Sequence, residues 1–292
     1  VKYSPDEHVL LRATYQTAFR APSLQQLYMG ESISHPFLRD PARGDDGMQY
    51  KTKAGGNMDL EPESADSISV GTVFDIPMPE NMSLSVSVNW SQIELEDQIT
   101  SVGAQYMLSN EELFKNNINR DDQGNLEYIN NSYLNLAEVQ TEAVDLQINY
   151  SIDTSIGHLG ADLAAAYLYQ YDYKARPSDS FVDLSGSYNR PEWRGHMGLW
   201  WTYDKYSAGA TVNYVDSFDQ LYGVIPEVDS HTTLDLQATY DLTDNSRITV
   251  GALNVTDEDP PWSDGEPEGY SYGTAGHSPW GTVLYARATV RF

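Results

Sequence analysis

The spacers between strand-like stretches alternate long and short without a break, and no other feature constrains the fold as much. They are long at 20–62, short at 77–81, long at 100–132 and short at 151–157. The order continues long at 174–190, short at 204–206, long at 218–230, short at 241–246 and long at 257–280. Antiparallel strands that shuttle across a bilayer produce this arrangement, with tight turns on one side and large loops on the other. A soluble β-sandwich or β-solenoid also alternates apolar and polar side chains, but nothing in either segregates loops by length.

Period-two alternation predicts ten strands, at 8–18, 66–76, 82–95, 136–150, 158–173, 191–203, 206–217, 231–242, 246–256 and 282–292. It is clearest at 232–242, where Leu234, Leu236, Ala238, Tyr240 and Leu242 share one face and Thr233, Asp235, Gln237, Thr239 and Asp241 the other. That pattern marks a strand with one apolar and one wet side. Leu84, Val86, Val88 and Trp90 repeat it, as do Leu284, Ala286, Ala288, Val290 and Phe292. Strands of about 10–14 residues exceed the ~5–6 usual in soluble sheets.

The stretch from Trp193 to Tyr203 supplies a length test, with Trp193, Met197, Leu199, Trp201 and Tyr203 on one parity. Ten residues at ~3.3 Å each, tilted by ~45°, rise about 23 Å. An outer-membrane barrel has an apolar band ~25 Å tall between aromatic girdles. Tyr171, Tyr173 and Tyr214 are expected at the loop-side girdle, with Tyr150, Tyr206 and Tyr240 at the turn side. Arg194, His196 and Thr202 fall on the opposite, lumen parity.

Composition agrees. Tyrosine outnumbers phenylalanine 21 to 7, which suits an amphipathic boundary. The net charge of -26 argues against nucleic acid as a partner. With no cysteine there is no disulfide framework, thiolate nucleophile or Cys-ligated metal site. No run approaches the ~18 apolar residues of a membrane helix, so a membrane reading requires a barrel. The start, Val1-Lys-Tyr-Ser-Pro5, carries no basic and apolar leader. Either a leader was removed, or the chain is a piece of a longer protein.

Five stretches, taken in order, resemble the C-terminal part of a TonB-dependent outer-membrane receptor. The first runs from Leu11 through Phe19-Arg20-Ala21-Pro22-Ser23 to Tyr28, and the second is Asn57 to Ser64, ending Pro62-Glu63-Ser64. The third is Val139 to Tyr150, in which Ala143 replaces the family's usual glycine. The fourth is Val250 to Pro261, containing Asn254-Val255-Thr256-Asp257-Glu258, and the last is the strand ending in Phe292. The resemblance implies an all-β fold: an antiparallel transmembrane β-barrel of 22 strands plugged by an N-terminal domain. About ten strands, spanning 1–292, would be its C-terminal portion, with the plug and the TonB-contacting segment lying outside. Ten strands cut from a larger barrel should form an open sheet in which 8–18 and 282–292 do not pair with each other.

The implied function is TonB-energised uptake of a large, scarce nutrient across the bacterial outer membrane: an iron-siderophore, cobalamin, haem or an oligosaccharide. Its implied partners are outer-membrane lipid and lipopolysaccharide, the plug and TonB complex, and the barrel assembly machinery. Ala288, Val290 and Phe292 match the assembly signal and also fit an ordinary lipid face. Long ordered loops often carry function. In the 257–280 loop, Trp262, Tyr270, Tyr272, His277 and Trp280 could stack on a sugar or chelate rim, or simply pack a solvated loop. Tyr28, Tyr50 and Tyr222 on other long loops carry the same two readings. Arg20 either contacts ligand or ties down the strand-to-loop corner through backbone carbonyls.

No metal or cofactor is expected. The acidic groups Asp257, Glu258, Asp259 and Asp264, and those from Asp40 to Asp46, lack calcium-loop spacing. The six histidines lack metal-ligand spacing. No catalytic motif is present, so an enzyme is not expected. The alternatives are a self-contained ten-stranded outer-membrane protease, with His231 and Asp229 at its mouth, or a passive porin or adhesin.

Overall fold

In the computed structural model, the described residues are 1–44, 47–187, 190–220, 226–263, 271–273 and 276–291. Among these residues, eleven strands form the wall: β1 (Lys2–Asp6), β2 (Val9–Arg20), β3 (Glu63–Ile76), β4 (Met82–Thr100), β5 (Leu134–Thr154) and β6 (Gly157–Lys174), then β7 (Trp193–Tyr203), β8 (Tyr206–Val215), β9 (His231–Thr243), β10 (Ser246–Leu253) and β11 (Val283–Val290). Each pairs antiparallel with its neighbour in sequence, and a short strand, Val182–Asp183, adds to β6. All ten expected strands are present. The addition is β1, an edge strand on which Pro5, lacking an N–H, costs the ladder nothing. β1 and β11 end the sheet without pairing with each other, so the barrel is open, as expected. The correction is that β1, and not the strand at 8–18, forms that edge.

Directly opposed residues in an antiparallel ladder share a face. One row therefore runs Val9, Phe74, Val86, Ile148, Leu163, Met197, Val212 and Leu234 across eight strands. The adjacent row, on the other face, reads Val73, Ser87, Gln147, Ala164, His196, Asn213 and Thr233. A continuous apolar face and a mostly polar face result. The polar face is stitched by side chains: Asn213 donates to Asp235 at 3.0 Å, and His196 lies 3.4 Å from Asp162. Where that face carries rings, glycine makes room. A Cβ on Gly160 would stand 2.0 Å from the Trp200 indole, and one on Gly251 would stand 2.5 Å from the Tyr285 ring.

One expectation about the aromatic girdle fails. The ladder of β5 with β6 slips beside Glu142 and Ala143, so that Ala143 faces Leu168 while Glu142 faces Gln170. The extra residue, Tyr169, inverts the alternation beyond it. Tyr171 then pairs with Thr141 and Tyr173 with Val139, on the polar face. Tyr214 is on the apolar face at the loop side, as expected, and the other aromatics there include Tyr15, Trp90, Tyr167 and Trp193, joined by Tyr169, which hydrogen-bonds Glu142. Tyr167 and Trp193 stack at 4.4 Å. At the turn side, Tyr206 and Tyr240 lie face to face across strands, as expected.

Buried apolar side chains are found chiefly in the loops. Segments 20–62 and 100–132 fold together around Leu38, Tyr50, Met107, Leu108, Phe114, Ile118 and Ile129. A four-stranded sheet of Ser32–Ser34, Thr52–Ala54, Leu126–Asn130 and Ile118–Arg120 frames this core. Leu126–Asn130 lies parallel to Thr52–Ala54, which is possible because the strands come from different loops. Arg120 locks the unit, reaching Asp40 at 2.8 Å and Glu111 at 2.7 Å. Its hydrogen bond holds the Glu111 carboxyl below the usual carboxylate range. Asp40 is fully buried there, so the guanidinium is what makes its charge tolerable.

Candidate functional site

All large loops leave the same end of the sheet, so any mouth must be built there. Two of the sequence motifs meet at its rim. Arg20 and Glu63 are ladder partners, and the Arg20 guanidinium grips the carboxylate twice, through Nη2 and Nε, each at 2.6 Å. Glu63 is 2 % exposed and also accepts the Ile99 amide at 2.9 Å. Arg20 thus ties down the corner, but through a carboxylate instead of backbone carbonyls. Ser23 then caps the short helix Leu24–Tyr28 with a reciprocal Gln26 contact.

The third motif's Glu142 accepts from Trp90 and Tyr169 at the apolar face's upper edge. The fourth motif is also a corner. Asn254 and Asp257 both adopt positive φ, 48° and 55°. The Asn254 side chain accepts the Glu258 amide at 3.0 Å, while the Asn254 backbone amide donates to the Asp235 carboxylate at 2.8 Å. Asp257 accepts the Thr282 amide at 2.8 Å, closing the loop base. Asparagine and aspartate tolerate left-handed backbone and bond locally, which is what this sharp exit needs.

Between these corners the candidate residues separate into three groups. Tyr28, Trp262 and Trp280 are exposed, at 65 %, 62 % and 72 %, and present free ring surface. Tyr50 is 6 % exposed inside the loop core, and His277 is 7 % exposed. Their rings pack instead of facing solvent. Tyr272 bridges Trp262 across the loop. Tyr222, Tyr270, Asp264 and Phe292 lie outside the described residues. Ala288 opposes Ile248 on the apolar face, and Val290, 56 % exposed, opposes Ser246.

A second loop cluster escaped the sequence reading. His277 stacks on Phe218 at 6.1 Å and meets the His231 ring edge-on at 5.2 Å. Ser263, 1 % exposed, donates to Gln220 at 3.0 Å, tying the 257–280 loop to the 218–230 loop. No local spacing could have linked His231 to His277, because they meet only through the fold. The loop core left a trace, however: Ala104, Met107 and Leu108 have helical spacing and lie on the buried side of helix Ala104–Ser109. Among the described residues, no group of three or more His, Asp or Glu side chains is placed to hold a metal ion.

Comparison with known proteins agrees with this architecture. The family model described as "TonB dependent receptor-like, beta-barrel" matches residues 1–255. No curated protein sequence matches at a significant level. Among solved structures, the chain is similar to a mutant ferric enterobactin receptor, PfeA, from Pseudomonas aeruginosa, with a TM-score of 0.69 and 17 % identity. That alignment covers 100 % of this chain and 39 % of the receptor. It is similar also to the siderophore receptor PirA from Acinetobacter baumannii, with a TM-score of 0.66 and 14 % identity over 100 % of this chain and 40 % of that one. The third, the Serratia marcescens hemophore receptor HasR, gives 0.58 and 18 % identity over 99 % of this chain and 38 % of the receptor. At these identities the likeness speaks for the fold alone. The chain spans about two-fifths of the length of these structures. By its matched residues and its open antiparallel wall, the chain belongs to the TonB-dependent receptor-like β-barrel family.

Proposed function

We propose that this chain is the C-terminal wall and loop section of a receptor in the bacterial outer membrane. The receptor takes up a large, scarce nutrient of the iron-siderophore, cobalamin, haem or oligosaccharide kind with energy from TonB. One observation carries the reading: an apolar row crosses eight strands on one face, while every large loop gathers at a single end. The apolar face meets lipid, with lipopolysaccharide at the loop side. The polar face surrounds a plug supplied by sequence outside this chain, and the plug carries the TonB contact. The alternating edge of β11 serves recognition by the barrel assembly machinery. Trp262, Tyr272 and Trp280 supply ring surface for ligand capture.

Transport and surface binding by cells carrying the whole receptor, with and without a working TonB complex, test this reading. Binding should persist and uptake should stop when the complex is removed. Uptake that continues undiminished would overturn it. Trp280→Ala and Tyr272→Ala should weaken surface binding, and unchanged binding in both removes the 257–280 loop from the capture site.

A further inference from the structure

The contact of His231 with His277 lies outside the backbone ladder of the wall. His231 begins β9 on the polar face, and His277 comes from the 257–280 loop. They are 8 % and 7 % exposed, and the Nε2 atom of each is buried without a hydrogen-bond partner. Buried nitrogen left unpaired is costly, and a protein tolerates it where the atom has another use. The His277 Nδ1 is 3.2 Å from the Gly273 carbonyl, which can only accept. Nδ1 therefore carries the proton, and Nε2 presents a lone pair. That is the second contact by which proteins fix an imidazole for metal binding.

We propose that His231 and His277 form a two-imidazole site for a late first-row transition ion, copper or zinc. Neutral imidazole suits both metals. The ring centroids are 5.2 Å apart. An ion held about 2.0–2.1 Å from each nitrogen stands about 3.2 Å from each ring centre, so two rings at this separation are close enough to share one. Two positions remain for water or an anionic donor. The site lies where the loop docks on the wall, so an ion there would pin the 257–280 loop to β9.

The test is metal binding by the whole receptor, purified in detergent and stripped with a chelator, and it stands independently of uptake. Cu²⁺ and Zn²⁺ are titrated calorimetrically, and the copper form is read for imidazole nitrogen coupling by electron paramagnetic resonance. One equivalent should bind, and His231→Gln and His277→Gln should each weaken it at least about tenfold, the lower end of what even outer-shell partners contribute. His196→Gln, a histidine elsewhere on the polar face, should leave binding unchanged. Heat-modifiable migration confirms that each variant is folded. Stoichiometric binding that survives both substitutions, or its absence in the unaltered receptor, overturns the proposal.

Discussion

The assignment of faces can be tested at one pair of adjacent residues in β9. Leu236 lies on the apolar face opposite Ala210 and Ala252, and Gln237 lies on the polar face opposite Gly209 and Gly251. Leu236 is four residues from Tyr240, in the turn-side ring. It is also four from Thr232, whose ladder partner is Tyr214 in the loop-side ring. Four residues at ~3.3 Å, tilted by ~45°, rise about 9 Å, so Leu236 sits midway between the rings. Arginine there costs about 2–4 kcal/mol, the midplane value for a lipid-facing strand. At 1.4 kcal/mol per tenfold, the folding equilibrium constant falls by roughly thirty- to several hundredfold. Gln237→Arg enters water instead, over two glycines, and loses only a 3.3 Å contact with Tyr285. Refolding of the whole receptor into bilayers across a urea series, scored by heat-modifiable migration, measures both. Equal midpoints for the two variants would refute the facing and the membrane reading with it.

Three further outcomes follow from packing and charge. Arg120→Ala strands the buried Asp40 carboxylate, and should destabilise the loop core by about 3–5 kcal/mol, read as rapid protease cleavage within 20–62 and 100–132 while the wall stays intact. Because Arg120 lowers the Glu111 pKa, this pair's contribution is complete above the ordinary carboxylate value and is lost only as pH falls through the depressed one. Protection of loop-core amides, taken relative to intrinsic exchange at each pH, should therefore be unchanged from neutrality to about pH 5, and loosening before that point would contradict the pairing. Gly160→Val drives a side chain into the Trp200 indole and should cost about 1–3 kcal/mol of overpacking, with Trp200→Ala restoring much of the loss in the double variant.

The wall was legible because a barrel strand obeys a strict rule. Each shows alternate residues to one apolar face, and period two survives in the sequence from Val9 to Val290. The strand at Lys2–Asp6 was missed because five residues interrupted by proline carry too little pattern. The inversion at Tyr169 was missed for a related reason: a bulge is one residue, and Tyr171 looks the same on either parity. The loops obey no such rule. Their core joins residues as distant as Leu38 and Ile129, and the pairing of Arg20 with Glu63 spans 43 positions. Family motifs did mark those corners, although the chemistry that makes them corners appeared only in the fold.

The lengths of β4 and β5, 19 and 21 residues, extend well past what a bilayer needs. Above Trp90 the outward positions change from Val86 and Val88 to Gln92 and Glu94, and Glu142 and Gln140 stand beside them. Between β4 and β5 the apolar matching ends at that indole, while Ile68 and Tyr15 carry it one step farther on β3 and β2. The ten residues from Trp90 to Thr100 carry the sheet about 23 Å farther, as a water-bathed collar bearing the folded loop unit. In the proposed orientation, a molecule arriving from outside meets protein long before it nears the fatty interior, and selection on that collar is freed from the demands of lipid.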